Sequence, residues 1–155
     1  MPDARIVQNS SVLGFVPLLG RGAYCASKYA LEGLTDTLRL ELRDTNVKVS
    51  LLEPGPIATQ FRANALRALR SNIDYQQSRH QPMYRAAEQR LASGQSSSRF
   101  TLGPEAVVEK LLLALTDPRP KARYRVTVPT QTLSVLKRLL STNALDRFIA
   151  RFGQA

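Results

Sequence analysis

Tyr24 and Lys28 lie four residues apart in the stretch AYCASKYALEGL, with Ser10 and Ser11 a short way upstream. Residues at i and i+4 share one face of a helix, so the lysine ammonium stands beside the phenol and eases its ionisation. A hydroxyl delivered from the end of a preceding strand completes a set able to move a proton onto or off a substrate oxygen. That chemistry needs elements that bring a strand end and the first turns of a helix to one place.

The surrounding pattern predicts such elements. Arg5-Ile6-Val7-Gln8-Asn9 is a short β-prone run ending in Ser10-Ser11, where the loop VLGFVPLLGRG begins, punctuated by Gly14, Pro17, Gly20 and Gly22. Ala23 to Arg43 reads as one helix, without proline and with Gly33 as its weak point. Ala26, Ala30, Gly33 and Thr37 form a stripe of small residues at helical spacing, which predicts close packing on a sheet. Val47-Lys48-Val49-Ser50-Leu51-Leu52 is the next strand, stopped by Glu53-Pro54-Gly55-Pro56. Strand, long helix and strand read as a right-handed βαβ unit with a parallel sheet. The predicted class is α/β, a Rossmann-like, doubly wound parallel sheet.

Three segments are expected. Residues 4–59 form the strand-helix-strand core. Residues 60–101 are rich in Arg, Gln, Ala and Ser and read as broken helices of a substrate-side insert, with Gln95-Ser96-Ser97-Ser98 as a mobile tract. Residues 102–155 open on Gly103-Pro104-Glu105, a helix start running to about Leu115 and stopped by Asp117-Pro118-Arg119-Pro120. Tyr124 to Val128 reads as a third strand, Leu133 to Leu140 begins a terminal helix, and Ala144 to Phe152 reads as a second one. The first strand would have an unpaired outer edge, which predicts a covering partner or a chain that is the latter part of something longer.

Composition narrows the class. The 155 residues suffice for one domain with a sizeable core, and 43% hydrophobic with 22% charged residues is ordinary for a globular protein. Cys25 has no partner for an internal disulfide, and no Cys or His pair has metal-ligand spacing, so no metal is expected. Neither a leader nor an apolar run of about 18 residues is present, and the cytoplasm is the expected location. The net charge of +10 is concentrated late, in Arg119, Lys121, Arg123, Arg125, Lys137, Arg138, Arg147 and Arg151, opposed locally by Asp117 and Asp146. No nucleic-acid motif accompanies it, so a solvated basic face is expected and nucleic acid is not an expected partner. An apolar stripe of Leu133, Leu136, Leu139, Leu140, Leu145, Phe148, Ile149 and Phe152 beside Lys137, Arg138, Arg147 and Arg151 raises a membrane-surface reading. Docking on the body of the protein is the favoured alternative.

NSSVLG, then YCASK, then EPGPIAT resembles the carboxy-terminal half of the short-chain dehydrogenase/reductase family. Ser11 stands thirteen residues before Tyr24, small residues fill Y-x-A-S-K, and P-G-x-x-x-T follows the next strand. The match is dense over about residues 4 to 60 and looser beyond, and in detail it resembles bacterial NADP-dependent aldehyde reductases. The resemblance implies a Rossmann-type oxidoreductase whose first half is missing here, interconverting an apolar aldehyde or ketone and its alcohol with NADP or NAD. It implies Ser11, Tyr24 and Lys28 as catalytic residues. Tyr24 would be general acid in reduction, Lys28 would charge-stabilise the phenolate and hold the cofactor ribose, and Ser11 would hydrogen-bond the substrate oxygen. Tyr24, Lys28, Pro54, Gly55, Ile57 and Thr59 are implied at the cofactor, and the long helix is implied in a homo-oligomer.

The family's glycine-rich turn, its ribose-selecting residues and its N-N-A-G segment have no counterpart in these 155 residues, and Asn9 does not replace the missing active-site Asn. The alternative is a non-catalytic remnant or interaction module. Ser10 reads as a turn hydroxyl, Cys25 as a small buried residue, His80 as exposed, and Gly20-Arg21-Gly22 as a helix start. Phe15, Val16, Leu18 and Leu19, with Phe61, Met83 and Tyr84, read equally as a pocket lining or as loop core.

Overall fold

A computed structural model describes residues 4–93 and 99–152. Three strands run parallel in the order β1 (Ala4–Asn9), β2 (Val47–Glu53), β3 (Arg123–Arg125). Ala4 pairs with Val47 and Asn9 with Leu52, while Leu51 pairs with Arg123. The 20-residue helix α1 (Gly22–Glu41) connects the first two strands. Between β2 and β3 come α2 (Phe61–Asn72), α3 (Gln81–Ala92) and α4 (Glu105–Thr116), and α5 (Val128–Leu139) and α6 (Thr142–Phe152) follow β3. The α/β class with a parallel sheet is as the sequence predicts. The tract Gln95 to Ser98 and the side chain of Phe152 lie outside the described residues.

The sheet is covered by helices on both faces. Successive residues of β2 point opposite ways. Leu52 packs with Ala114 of α4 and Tyr124 of β3, joined by Val7, Val107 and Leu111. Leu51, Glu53 and Arg123 turn to the other face, where α1 lies. Flanked on both sides, β2 buries everything from Val49 to Glu53, which is why it reads as a near-continuous run and not an alternation. Full burial of Leu51 alone is worth about 2 kcal/mol.

On the α1 face the sequence misleads. The stripe of Ala26, Ala30, Gly33 and Thr37 is exposed, and a Cβ on Gly33 would meet nothing within 4 Å. The buried residues of α1 are Cys25, Glu32 and Thr35. The helix is rotated because its acids have partners underneath. Arg123 donates to both oxygens of Asp36 at 2.7 Å and to Glu32 Oε2 at 3.3 Å, and its Nε lies 2.9 Å from Glu53 Oε1. Arg125 Nε stands 3.1 Å from Glu53 Oε2 without a directed hydrogen bond, and Arg39 pairs with Asp36 at 2.7 Å. Burial, reinforced by Glu32, pushes the Glu53 carboxyl up, against the pull of Arg125 and Arg123. Burial also acts on Asp36, but hydrogen bonds from Arg123 and Arg39 outweigh it and hold that carboxyl below its ordinary value. Part of the late basic excess is therefore neutralised by acids distant in sequence, and is not a free basic face.

Element ends shift as well. The expected third strand to Val128 stops at Arg125, and α5 starts at Val128 because Pro129 occupies its first turn with a ready-made helical φ. The terminal apolar stripe divides: Leu145 is buried, whereas Leu139 is 76% exposed. Among the described residues no helix is long and apolar enough to cross a membrane.

Candidate active site

Three backbone segments meet at the carboxyl ends of β1 and β2. After β1, Ser10 N donates to Leu52 O and Val12 N to Pro54 O, both at 2.8 Å, so the segment with Ser11 is tied to the turn after β2. Ser11 is 9% exposed and caps a short 3-10 turn (Val12–Gly14), its Oγ accepting from Leu13 N at 3.2 Å. A hydroxyl keeps its own proton while accepting, so Ser11 still has a donor to offer. Ser10 is more buried, and its Oγ lies where a side chain on Gly14 would go, 2.6 Å from that Cβ. Ser10 is therefore an interior packing hydroxyl, not the turn hydroxyl expected.

The third segment is the start of α1. Gly20, at φ +72°, turns the chain, and Arg21 precedes the first helical residue without capping it by side chain. The Gly-Arg-Gly stretch is a helix start, as expected. Tyr24 is half-buried and meets Phe61 of α2 edge to face, with ring centroids 5.6 Å apart. Lys28 Nζ stands 5.8 Å from the Tyr24 ring centroid and donates to the carbonyl of Asn9 at 2.8 Å. One side chain thus joins the helix of Tyr24 to the strand end two residues before Ser11. An ammonium has three donors, and this bond uses one, leaving two for ligand hydroxyls.

The Pro54-Gly55 turn is pinned from below. A Cβ on Gly55 would collide with Thr127 Oγ1 and Thr130 Oγ1, which bond each other at 2.9 Å and are completely buried. Ile57 bridges to Leu102, with Ala58 N donating to Leu102 O at 2.9 Å. Thr59 is exposed, and its Oγ1 accepts from Phe61 N at 3.3 Å, leading the chain into α2. Lys28, the Gly55 turn and Thr59 have the donors and close backbone approach that suit the nicotinamide and ribose end of a dinucleotide. A seat for its pyrophosphate is not among these residues, because that takes a glycine-rich turn at a helix start.

Cys25 is buried and His80 exposed, as expected. Of the apolar set, Val16 is loop core, Leu19 and Phe61 are 64% and 51% exposed, and Tyr84 stacks on Tyr75 with centroids 5.4 Å apart. Sequence reasoning singles out neither Thr127 nor Thr130, and reads Lys137 only as part of a basic face. Lys137 of α5 donates to Phe15 O at 2.5 Å and lies 5.0 Å from the Tyr29 ring, tying α5 to the loop between Ser11 and Tyr24. Nothing local marks such long-range ties, although Pro129 between the two threonines signals a helix start at the sheet's end.

The chain is similar to known proteins in sequence and in fold. The pattern of a family described as short chain dehydrogenase matches residues 2–70. The chain is 44% identical over 147 residues to the uncharacterized oxidoreductase YbbO of Escherichia coli strain K12, covering 95% of this chain and 48% of that protein. It is 32% identical to a probable short-chain type dehydrogenase/reductase, VdlC, of Helicobacter pylori strain J99, covering 94% of this chain and 51% of the relative. A crystal structure of a short chain dehydrogenase from Burkholderia cenocepacia in complex with NADP superposes with a TM-score of 0.62 at 19% identity, over 95% of this chain and 47% of that one. Over residues 2–70, and across these relatives, the chain is similar to the short-chain dehydrogenase/reductase family. It spans about half the length of the curated relatives it matches.

Proposed function

We propose that this chain carries the proton-transfer end of an oxidoreductase that interconverts an apolar aldehyde or ketone and its alcohol. A bound NADP, with NAD as the alternative, supplies the hydride. NADP is preferred because the sequence resembles aldehyde reductases using it; of the structural neighbours, one was solved with NADP and another, from Mycobacterium paratuberculosis, with NAD. Tyr24 gives its proton to the substrate oxygen in reduction and recovers it in oxidation. The Lys28 cation beside the ring stabilises the phenolate form, and Ser11 donates to the same substrate oxygen, orienting it toward Tyr24. Lys28, the Pro54-Gly55 turn, Ile57 and Thr59 hold the cofactor's nicotinamide half. The whole protein is expected in the cytoplasm as a homo-oligomer.

One observation carries the reading: Lys28 reaches from the helix of Tyr24 to the Asn9 carbonyl, two residues from Ser11. The test is NADPH oxidation with decanal by the purified protein and its Tyr24→Phe variant. Loss of the general acid should lower turnover by roughly 10²–10⁴-fold with an unchanged circular dichroism spectrum. A variant within threefold of the parent would remove Tyr24 from the chemistry, and no turnover by the parent would favour the non-catalytic alternative.

A further inference from the structure

We propose that Glu32 is a positioning residue of this site: its free carboxylate oxygen takes a hydrogen bond from the Ser10 hydroxyl, and that link sets the turn presenting Ser11. This rests on the reductase reading and deepens it. Ser10 and Glu32 are 4% and 8% exposed, yet Ser10 Oγ and Glu32 Oε1 are enclosed atoms without a hydrogen-bond partner. Both atoms border one point. A Cβ on Gly14 would lie 2.6 Å from Ser10 Oγ and 3.0 Å from Glu32 Oε1. Among the described glycines positive φ belongs to Gly20, not to Gly14. What position 14 requires is therefore the absence of a side chain, which lets a strand-end hydroxyl and an α1 carboxylate close on the same spot.

The two groups complement each other. Glu32 Oε2 is held from β3 by Arg123 Nη2 at 3.3 Å, so the carboxylate is fixed on one side and Oε1 is left beside Gly14. A carboxylate only accepts, and a hydroxyl can donate. Buried polar groups are rarely left unpaired, and a hydrogen bond to a charged acceptor is about twice as strong as a neutral one. The serine is the donor and the carboxylate the acceptor whether they meet directly or through one water.

The link acts on Ser11 through the chain. Ser11 caps the turn Val12–Gly14 by accepting from Leu13 N, and Gly14 N donates back to Ser11 O at 2.8 Å. Ser10 precedes this turn and Gly14 ends it, so a tie across them limits how Ser11 can rotate. Lys137 fixes the next residue, donating to Phe15 O at 2.5 Å. Tyr24, Lys28 and Glu32 follow at four-residue steps along α1. One face of one helix then carries the phenol, the ammonium and the carboxylate that aligns the serine.

The first readout is urea unfolding. Ser10→Ala should raise the unfolding constant about tenfold, the size of one hydrogen bond to a charged group, whereas removing an orphan hydroxyl would leave it unchanged or lower it. In a Glu32→Met background, which has no acceptor, Ser10→Ala should have little effect. No loss in Ser10→Ala, or the same loss in both backgrounds, overturns the inference. Should Glu32→Met not fold, the sign of the Ser10→Ala change decides. The second readout is turnover of decanal under NADPH. Ser10→Ala and Glu32→Met should each lower kcat about tenfold while the KM for NADPH stays within about twofold. In a Ser11→Ala background Ser10→Ala should lower kcat no further, because Ser10 acts through Ser11. Ala114→Gly, on the opposite face of the sheet, should destabilise the protein and keep its kcat. A further loss in the Ser11→Ala background, or an equal loss in Ala114→Gly, overturns the positioning role. Should the parent not turn decanal over, the reductase reading fails by itself, and the unfolding cycle still decides the Ser10–Glu32 link.

Discussion

Arg123 and Arg21 are both partly buried arginines, and each has further charged groups close by. Around Arg123 those groups include Glu53, Glu32 and Asp36, contributed by β2 and α1, and the network joins the sheet to the helix above it. Around Arg21 they are Arg90 and Arg62. The first cluster sets Arg123, Arg125 and Arg39 against Glu53, Glu32 and Asp36, so its charges serve the structure. In the second, burial and the two neighbouring arginines both lower the Arg21 pKa. One protein thus places arginine in two settings, one against carboxylates and one beside like charges.

The largest expected effect comes from removing the cation at the centre of the first cluster. Arg123→Gln leaves Glu53, Glu32 and Asp36 facing a neutral amide, and should cost about 2 kcal/mol in urea unfolding. That is below the usual figure for a broken buried pair because Arg123 keeps 27% of its side-chain exposure. A change under about 0.5 kcal/mol, the range of an ordinary surface substitution, would show Arg123 hydrated and the contrast empty.

A smaller effect is expected in acid. The Asp36 carboxyl is held below its ordinary value, so its stabilisation is complete above the unfolded value of about pH 4 and disappears as pH falls through the folded one. Glu53 is pushed up, so its ionisation opposes folding as pH rises through its folded value, the opposite sign. Melting temperatures from pH 6 to pH 3 should fall less steeply for Asp36→Asn than for the parent. Parallel curves would exclude Asp36 as the acid-sensitive partner.

The smallest effect is the most informative about the second cluster. Arg21→Gln should shift stability by no more than about 0.5 kcal/mol, and toward stabilisation, because it removes a like charge and no partner. A clear loss, read by the same urea titration, would mean that Arg21 serves the structure as Arg123 does.

How much of this could be read from the residues follows the same division. The strand-helix-strand frame was legible because Pro54 and the glycines of the preceding loop punctuate it and the helix spans an uninterrupted pattern. The Tyr24–Lys28 pair was legible because four-residue spacing on a helix is local geometry. The rotation of α1 was not: small residues suggest packing, but the buried face here is chosen by Glu32 and Asp36, whose partner Arg123 is 91 and 87 residues away. The end of β3 was misread because Tyr124 to Val128 has β-branched residues, while Pro129 was the informative neighbour. The roles of Ser11, Tyr24 and Lys28 came from pattern, and the Lys28–Asn9 bond is the geometric reason to pursue them.

Gly55 has a practical implication for anyone reshaping this pocket. With Thr127 and Thr130 pressed against it, even one added methyl group would have to displace two interlocked hydroxyls at the head of α5. Redesign at that turn would disturb the C-terminal helices before it altered substrate choice. Leu19, by contrast, is open to solvent, and substitutions there have room to be accommodated.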